Sequence, residues 1–277
     1  MYFIFYGGVC MVKAGFAHST YTNLDCDINY WYRQGTGNKY VFFFHGAGLD
    51  HKMFDAQIPI FDDTYNIVLW DARGHGLSKL HGGKKFIFSD MVSDFLKLCE
   101  KHEIKKAILF GQSMGGNLAQ EIAYQYPDMA EKLVLIGCTK NASKLTLGER
   151  ITLLFAKPIF YFYPWSKLIT QSAKACSNKE DVRQYVRDCF AQIDKATFID
   201  IITSLMGCLR EDAEYKFKHS VLLLCGIDDK TGNIKKIAQP WTDSDSNITL
   251  HMIKNAGHNA NQDNPEMVNA LIKEFIF

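Results

Sequence analysis

Residues 105–126 read KKAILFGQSMGGNLAQEIAYQY, and their reading decides the fold. Ala107, Ile108, Leu109 and Phe110 form a short apolar run that predicts a buried strand. Leu118, Ile122 and Tyr126 then recur at helical spacing. Between the two lies Gly111-Gln112-Ser113-Met114-Gly115, a G-x-S-x-G pattern in the strand-to-helix setting it requires. Such a turn strains the serine backbone, and side chains two residues before and after it would collide, so both places take glycine. The turn lifts the Ser113 hydroxyl out of the sheet and aims the first N–H groups of the helix at whatever the serine attacks. A plain βα turn with an N-capping serine is the competing interpretation, and the rest of the chain argues against it.

Outward from this stretch, short apolar strands alternate with helical patterns, which predicts a mostly parallel sheet of the α/β class. Upstream, INYWYR (28–33) reads as an early strand and YVFFF (40–44) as a strand buried on both faces. The latter runs into His45-Gly46-Ala47-Gly48, small residues that let backbone N–H groups approach a ligand. Residues 66–70, NIVLW, form a strand that ends in DARGHGLS (71–78). Two glycines, an acid and a base in one turn suggest a loop held by its own hydrogen bonds, so Asp71 and His75 are read as structural. Ser89 is expected to cap a helix ending near His102. Downstream, strands are expected at 133–136, 221–225 and 248–253, with a closing helix at 265–275 that has Pro265 at N1.

From 141 to about 215 strand signals vanish and helical ones dominate. Ser177 with Glu180 forms a capping-box pattern ahead of a helix carrying Val182, Tyr185, Val186 and Phe190. FAKPIFYFYPW (155–165) is dense in aromatics and broken by Pro158 and Pro164. It is too short to span a bilayer and reads equally as core or as a pocket roof.

Composition narrows the function classes. The 277 residues carry a formal net charge of +1, which gives no footprint for nucleic acid or an anionic membrane. The eight cysteines form no C-x-x-C pair and mostly lie in apolar segments, so they are read as buried free thiols in a reducing, cytoplasmic setting rather than as disulfides or metal ligands. MYFIFYGGVCM at the start lacks the basic region and cleavage site of a signal peptide, and Met11 offers an alternative start that would leave residues 1–10 as a loose extension.

A serine hydroxyl needs a base within reach and a third group to orient that base. After Ser113 come Asp228 and Asp229, following one predicted strand, and His258, following the last. A parallel sheet brings these strand ends to one edge beside the serine.

FFFHGAG, LWDARGHGLS, GQSMGG and NAGH followed by NP, spread over residues 41–265, together resemble the α/β-hydrolase superfamily of lipases, esterases, lactonases and carbon–carbon hydrolases. The resemblance implies an eight-stranded, mostly parallel sheet with helices on both faces. Residues 1–140 and 216–277 would form the core and 141–215 a helical cap. It further implies Ser113 as nucleophile, His258 as base, and an acid three residues after Gly226, which is Asp229. Asp228 is then left for solvent or for capping near Thr231 and Gly232. The backbone N–H groups of Ala47 and Met114 would hold an oxyanion, and Phe160, Tyr163 and Trp165 would line the pocket. Serine at the nucleophile position separates the chain from the haloalkane dehalogenases and epoxide hydrolases, which use aspartate there. His45-Gly46-Ala47-Gly48 separates it from the esterases with an HGGG loop. The implied enzyme needs no cofactor or metal and cleaves a small to medium apolar acyl substrate, without stable membrane insertion. An acyltransferase, a carbon–carbon hydrolase, or a receptor built on the same fold are the alternatives.

Overall fold

A computed structural model of the chain describes residues 15–143, 157–212 and 214–277. The opening extension, Cys10 and the first residues of the aromatic segment fall outside the described residues. Eight strands form one sheet: β1 Ala17–Asn23, β2 Cys26–Arg33, β3 Lys39–Phe44, β4 Tyr65–Trp70, β5 Ala107–Gln112, β6 Ala130–Ile136, β7 Val221–Gly226 and β8 Ile248–Ile253. Their order is β1-β2-β4-β3-β5-β6-β7-β8. β2 runs antiparallel to both β1 and β4, and every other pairing is parallel. β4, β5 and β7 are buried at every residue, which is why they read as unbroken apolar runs without alternation. β1 has no such run: AHSTYTN lies on the sheet edge, half exposed, and its strand character comes from the hairpin with β2.

The helices are α1 Asp90–Lys101, α2 Met114–Gln125, α3 Trp165–Cys176, α4 Glu180–Phe190, α5 Lys195–Ser204, α6 Ile234–Ser244, a single turn α7 Ala260–Asp263, and α8 Pro265–Ile276. α6 carries Pro240 in its interior, a residue that usually ends a helix. It persists because Ile234, Ala238 and Trp241 bury one face. Ser89 stands at the start of α1 but makes no side-chain cap bond.

The capping-box reading of Ser177 and Glu180 does not hold. α4 begins at Glu180 behind Lys179, with no side-chain cap. The Ser177 hydroxyl instead donates to Asp263, a partner 86 residues away, and accepts from the Lys179 amide at 2.9 Å.

Between β6 and β7 the described chain is helical (α3, α4 and α5). Its two ends meet in a bridge between Ala142 and Arg210. Asn141, at one of those ends, is tied to α2: its Nδ2 donates to Asn117 O at 2.8 Å and its amide to Gln120 Oε1 at 3.0 Å. The Arg210 amide donates to Asn141 O at 3.0 Å. Both ends of the segment therefore rest on the helix that follows Ser113.

Candidate active site

The parallel strands deliver four loops to the same edge of the sheet, those after β3, β5, β7 and β8. After β5 the chain turns sharply at Ser113, whose φ of 50° and ψ of −116° place a non-glycine residue in a strained region. The two glycines around it are spacers. A Cβ on Gly111 would lie 2.3 Å from Gly115 O, and one on Gly115 would lie 1.9 Å from Phe44 O. The second contact presses the end of β3 against the first turn of α2. Met114 opens α2, where the N–H groups have no partner within the helix.

The loop after β3 is fixed by His45. The Ala72 amide donates to His45 Nε2 at 2.9 Å, so Nδ1 carries the proton that goes to Gly46 O at 2.9 Å. Burial holds this imidazole below its ordinary pKa, and it stays neutral. Ala47 and Gly48 follow in the same turn, closed by the Leu49 amide on Gly46 O at 3.1 Å.

The acid and base of the loop after β4 are engaged in structural bonds, the acid in part with His51 of the loop after β3. Asp71 accepts the His51 amide at 3.0 Å, His51 Nδ1 at 2.7 Å and the Leu77 amide at 2.8 Å. His75 Nδ1 donates to Arg73 O at 2.8 Å, while its Nε2 is buried without a partner. Burial pushes the His75 pKa down to about 3. Arg73, which sequence reasoning passed over, is fully buried. It makes two bonds to Asp94, at 2.7 and 2.8 Å, and reaches Asp90 at 2.9 Å and Asp25 at 3.0 Å. Three acids around one buried guanidinium make it a structural centre.

Asp229 and His258 meet in a buried pair, with His258 Nδ1 3.0 Å from Asp229 Oδ2. The other carboxylate oxygen accepts the Thr231 amide at 2.7 Å. Burial pushes the Asp229 carboxyl up, but the hydrogen bond and charge of His258 and the Thr231 amide outweigh it and hold the pKa below the ordinary carboxylate value. Asp228 points away: its exposed carboxylate accepts Asn178 Nδ2 at 2.9 Å. The Thr231 amide thus belongs to Asp229 and not to its neighbour. With Nδ1 committed to a carboxylate, Nε2 is the ring nitrogen of His258 that this bond leaves free.

Two contacts bring this pair beside Ser113. The Ser113 amide donates to Ile136 O at 2.9 Å, and the next residue, Gly137, lies against the His258 ring, where a Cβ would come 3.2 Å from Nδ1. Gln112, next to the serine, donates from Nε2 to His258 O at 3.2 Å and to Asn259 Oδ1 at 3.4 Å.

Helices α3, α4 and α5 supply the aromatic residues above the loop after β3. Phe190 sits on Gly48, where a Cβ would lie 2.4 Å from its ring. Its ring centroid is 4.9 Å from that of Phe198, and Trp165 lies 5.3 Å from Phe198 and 6.3 Å from Phe190. Tyr185 Oη donates to Asp50 Oδ1 at 2.9 Å and fastens α4 to the same loop. Of the three residues expected in the pocket, Trp165 joins this cluster. Phe160 is half-buried against the core, and Tyr163 is exposed. Their neighbours Tyr161 and Phe162 are 67% and 82% exposed, so that part of the segment is neither core nor roof. Phe190 was visible in the sequence only as a member of an apolar helix face, and Phe198 was not singled out.

Among the described residues no cluster of three or more His, Cys, Asp or Glu could hold a metal ion, and no helix is long and apolar enough to cross a membrane.

Comparison with known proteins places this geometry. Residues 36–265 match the sequence profile of the hydrolase family described as "Serine aminopeptidase, S33". An uncharacterized hydrolase of Bacillus subtilis, YugF, is 24% identical over 263 residues, covering 90% of this chain and 94% of its own. Among solved structures, a hydrolase from Pseudomonas aeruginosa superimposes with a TM-score of 0.78 at 18% identity, covering 94% of this chain and 98% of its own. The enol-lactonase of Burkholderia xenovorans gives 0.77 at 17% identity, covering 93% and 99%.

Proposed function

The chain belongs to the serine aminopeptidase, S33, family and is an α/β-hydrolase enzyme, and from that premise we propose that Ser113, His258 and Asp229 form a triad that hydrolyses a carboxylic ester or related acyl bond of a small to medium apolar substrate. One observation carries the reading. The strained Ser113 stands at the end of β5, and the buried His258–Asp229 pair is pinned to the same edge by Gly137 and Gln112.

In the proposed reaction Ser113 Oγ attacks the carbonyl carbon and its proton passes to His258 Nε2. Asp229 holds Nδ1–H and offsets the imidazolium charge. The oxyanion rests on the N–H groups of Ala47 and Met114, each worth about 3 kcal/mol in such sites. The leaving group takes the proton from His258 and departs. Water then loses a proton to the same nitrogen and attacks the acyl-serine, and Ser113 Oγ takes that proton back as it leaves and the acid is released. Segment 141–215 acts as the cap, with Trp165, Phe190 and Phe198 as an apolar roof that selects the acyl group. The likeness to an enol-lactonase makes lactones part of the substrate panel. The seven described cysteines are free thiols and six of them are buried, which fits a reducing compartment such as the cytoplasm.

The test is covalent labelling with a fluorophosphonate, alongside turnover of activated esters, thioesters and lactones. Wild type should label and turn over. Ser113→Ala should stay folded, take no label and lose nearly all turnover. Labelling that survives Ser113→Ala would overturn the assignment. Product analysis with and without an added alcohol or thiol separates hydrolysis from acyl transfer. A folded wild type that neither labels nor turns over would favour a receptor on the same fold.

A further inference from the structure

Both residues that flank His258 hang on the junction between α3 and α4. The Asn259 amide donates to Cys176 O at 2.8 Å. The Gly257 amide donates to Asp263 Oδ2 at 2.7 Å, and Asp263 Oδ1 accepts the Ser177 hydroxyl. The Asn178 amide adds a bond to Asp263 Oδ2 at 3.3 Å. The junction is itself held, since Arg183 Nε donates to Ser177 O at 2.8 Å. Asp263 and Ser177 are both buried. A buried carboxylate that accepts from two backbone N–H groups and a hydroxyl forms strong, directional bonds, and its partners would be left unpaired without it.

We propose that Asp263 and Ser177 are positioning residues for the base, tying the His258 loop to the α3–α4 junction so that the cap sets where the imidazole stands. The inference rests on the function proposed above. Asp229 orients the ring through Nδ1, but it cannot hold the backbone from which the ring hangs. Three of the bonds that hold that backbone matter here. Gln112 binds His258 O from the nucleophile strand, Cys176 O binds the Asn259 amide from the insert, and Asp263, in the turn α7 that follows the loop, binds the Gly257 amide. The Cys176 bond comes from the insert directly, and the Asp263 carboxylate is tied to the insert through Ser177 and the Asn178 amide. A displacement of about 1 Å in a catalytic group can cost on the order of a hundredfold in rate. Asp263 is buried and its carboxylate bonds are to Gly257, Ser177 and Asn178, so positioning rather than substrate binding is its proposed task.

The experiment compares Ser177→Ala and Asp263→Asn with Asn178→Ala, whose side chain reaches only the exposed Asp228. All three are assayed on one activated ester, at a temperature where circular dichroism shows each folded. For the first two, kcat and the rate of fluorophosphonate labelling should fall together by roughly tenfold to a hundredfold, with KM within about threefold of wild type. Asn178→Ala should stay within about twofold on every measure. Folded Ser177→Ala and Asp263→Asn proteins with wild-type kcat would overturn the proposal, as would a KM that rises while kcat holds. If Asp263→Asn does not fold, Ser177→Ala decides alone, because it removes only one hydroxyl. A wild type that takes no label fails the triad reading instead, so the two failures are distinguishable.

Discussion

Ser113, Asp229 and His258 each stand one to five residues beyond the end of a parallel strand, whereas the aromatic groups above the loop after β3 come from helices with no strand among them. The two regions are built differently. β5 and β7 are buried on both faces along their whole length, and glycines set the spacing of the turns that leave them. Of the twelve residues of α3, only Leu168 and Ala173 are buried. α4 reaches the core through a single face made of Val182, Val186, Cys189 and Phe190. In the sheet half, backbone geometry fixes each group and leaves little room for change. In the insert, side chains do the holding, and most of the surface is free to vary. The comparison predicts that changes at the sheet edge act on the chemical step or on folding, and that changes in the insert act on which substrate is preferred.

The largest effect expected is at the acid. Asp229→Asn keeps the shape but leaves the imidazole in the wrong tautomer, which cost about 10⁴ in turnover in a well-studied triad. Asp228→Asn, one residue along, alters only the exposed bond to Asn178 and should cost less than about tenfold. Measuring kcat for both on one activated ester tests the contrast. The reverse ranking would move the acid to Asp228 and break the assignment of the β7 loop.

Next comes a pair of glycines, one from each region. A Cβ on Gly115 would meet Phe44 O at 1.9 Å, backbone against backbone, so Gly115→Ala should destabilise by about 3 kcal/mol or prevent folding. Gly207, in the short helical turn Leu205–Cys208 of the insert, has nothing within 4 Å of that position. Gly207→Ala should be neutral or stabilise by up to about 1 kcal/mol, through the lower entropy of the unfolded chain. Urea midpoints read both. Equal losses would show that the insert is as tightly built as the sheet edge.

A third effect lies within the insert. Trp165→Ala and Phe190→Ala should reorder the preference among acyl lengths by roughly tenfold, the scale of one or two methylenes in an apolar pocket. Phe162→Ala, at an 82% exposed side chain, should leave both the ranking and the stability unchanged. A ranking that follows Phe162 and ignores Phe190 would relocate the pocket to the outer side of the segment.

What could be read in advance follows the same division. The turn at Ser113 was legible because its cause is local: the strand, the two glycines and the helix are contiguous. The separation of Asp229 from Asp228 was legible because Gly226 ends β7 and the count runs from there. β1 was not, because AHSTYTN becomes a strand only by pairing with β2. α6 was not, because Pro240 argues against a helix that burial of Ile234, Ala238 and Trp241 sustains. Ser177 misled for the same reason. A hydroxyl three residues before a glutamate suggests a local cap, and its actual partner, Asp263, comes from the far end of the chain. Phe190 owes its importance to Gly48, 142 positions earlier, and no spacing within α4 reveals that contact.

The smallest effect is in pH, and it too should belong to the sheet half, since none of the nine histidines lies in residues 141–215. His75 is buried, its Nδ1 donates to Arg73 O, and its Nε2 has no partner to accept or to stabilise a second proton. Burial therefore pushes its pKa down to about 3. In the unfolded chain the same imidazole takes a proton near pH 6.5. Between those two values the unfolded state binds the extra proton and the folded state does not, so stability rises with pH across the window. The contribution is whole above about pH 6.5 and is lost as the pH falls below it, at about 1 kcal/mol per pH unit for one group. His45, also lowered by burial, adds to the slope in the same direction. His75→Asn keeps an N–H near the position of Nδ1 but cannot titrate. Urea unfolding at pH 7.5, 6 and 5 should show wild type losing stability toward acid, and His75→Asn losing it less steeply by about one proton, whatever its starting stability. Trp165→Ala, in the insert, should keep the wild-type slope. If His75→Asn keeps it as well, the folded protein protonates His75 freely, and the loop after β4 is more open to water than its burial states.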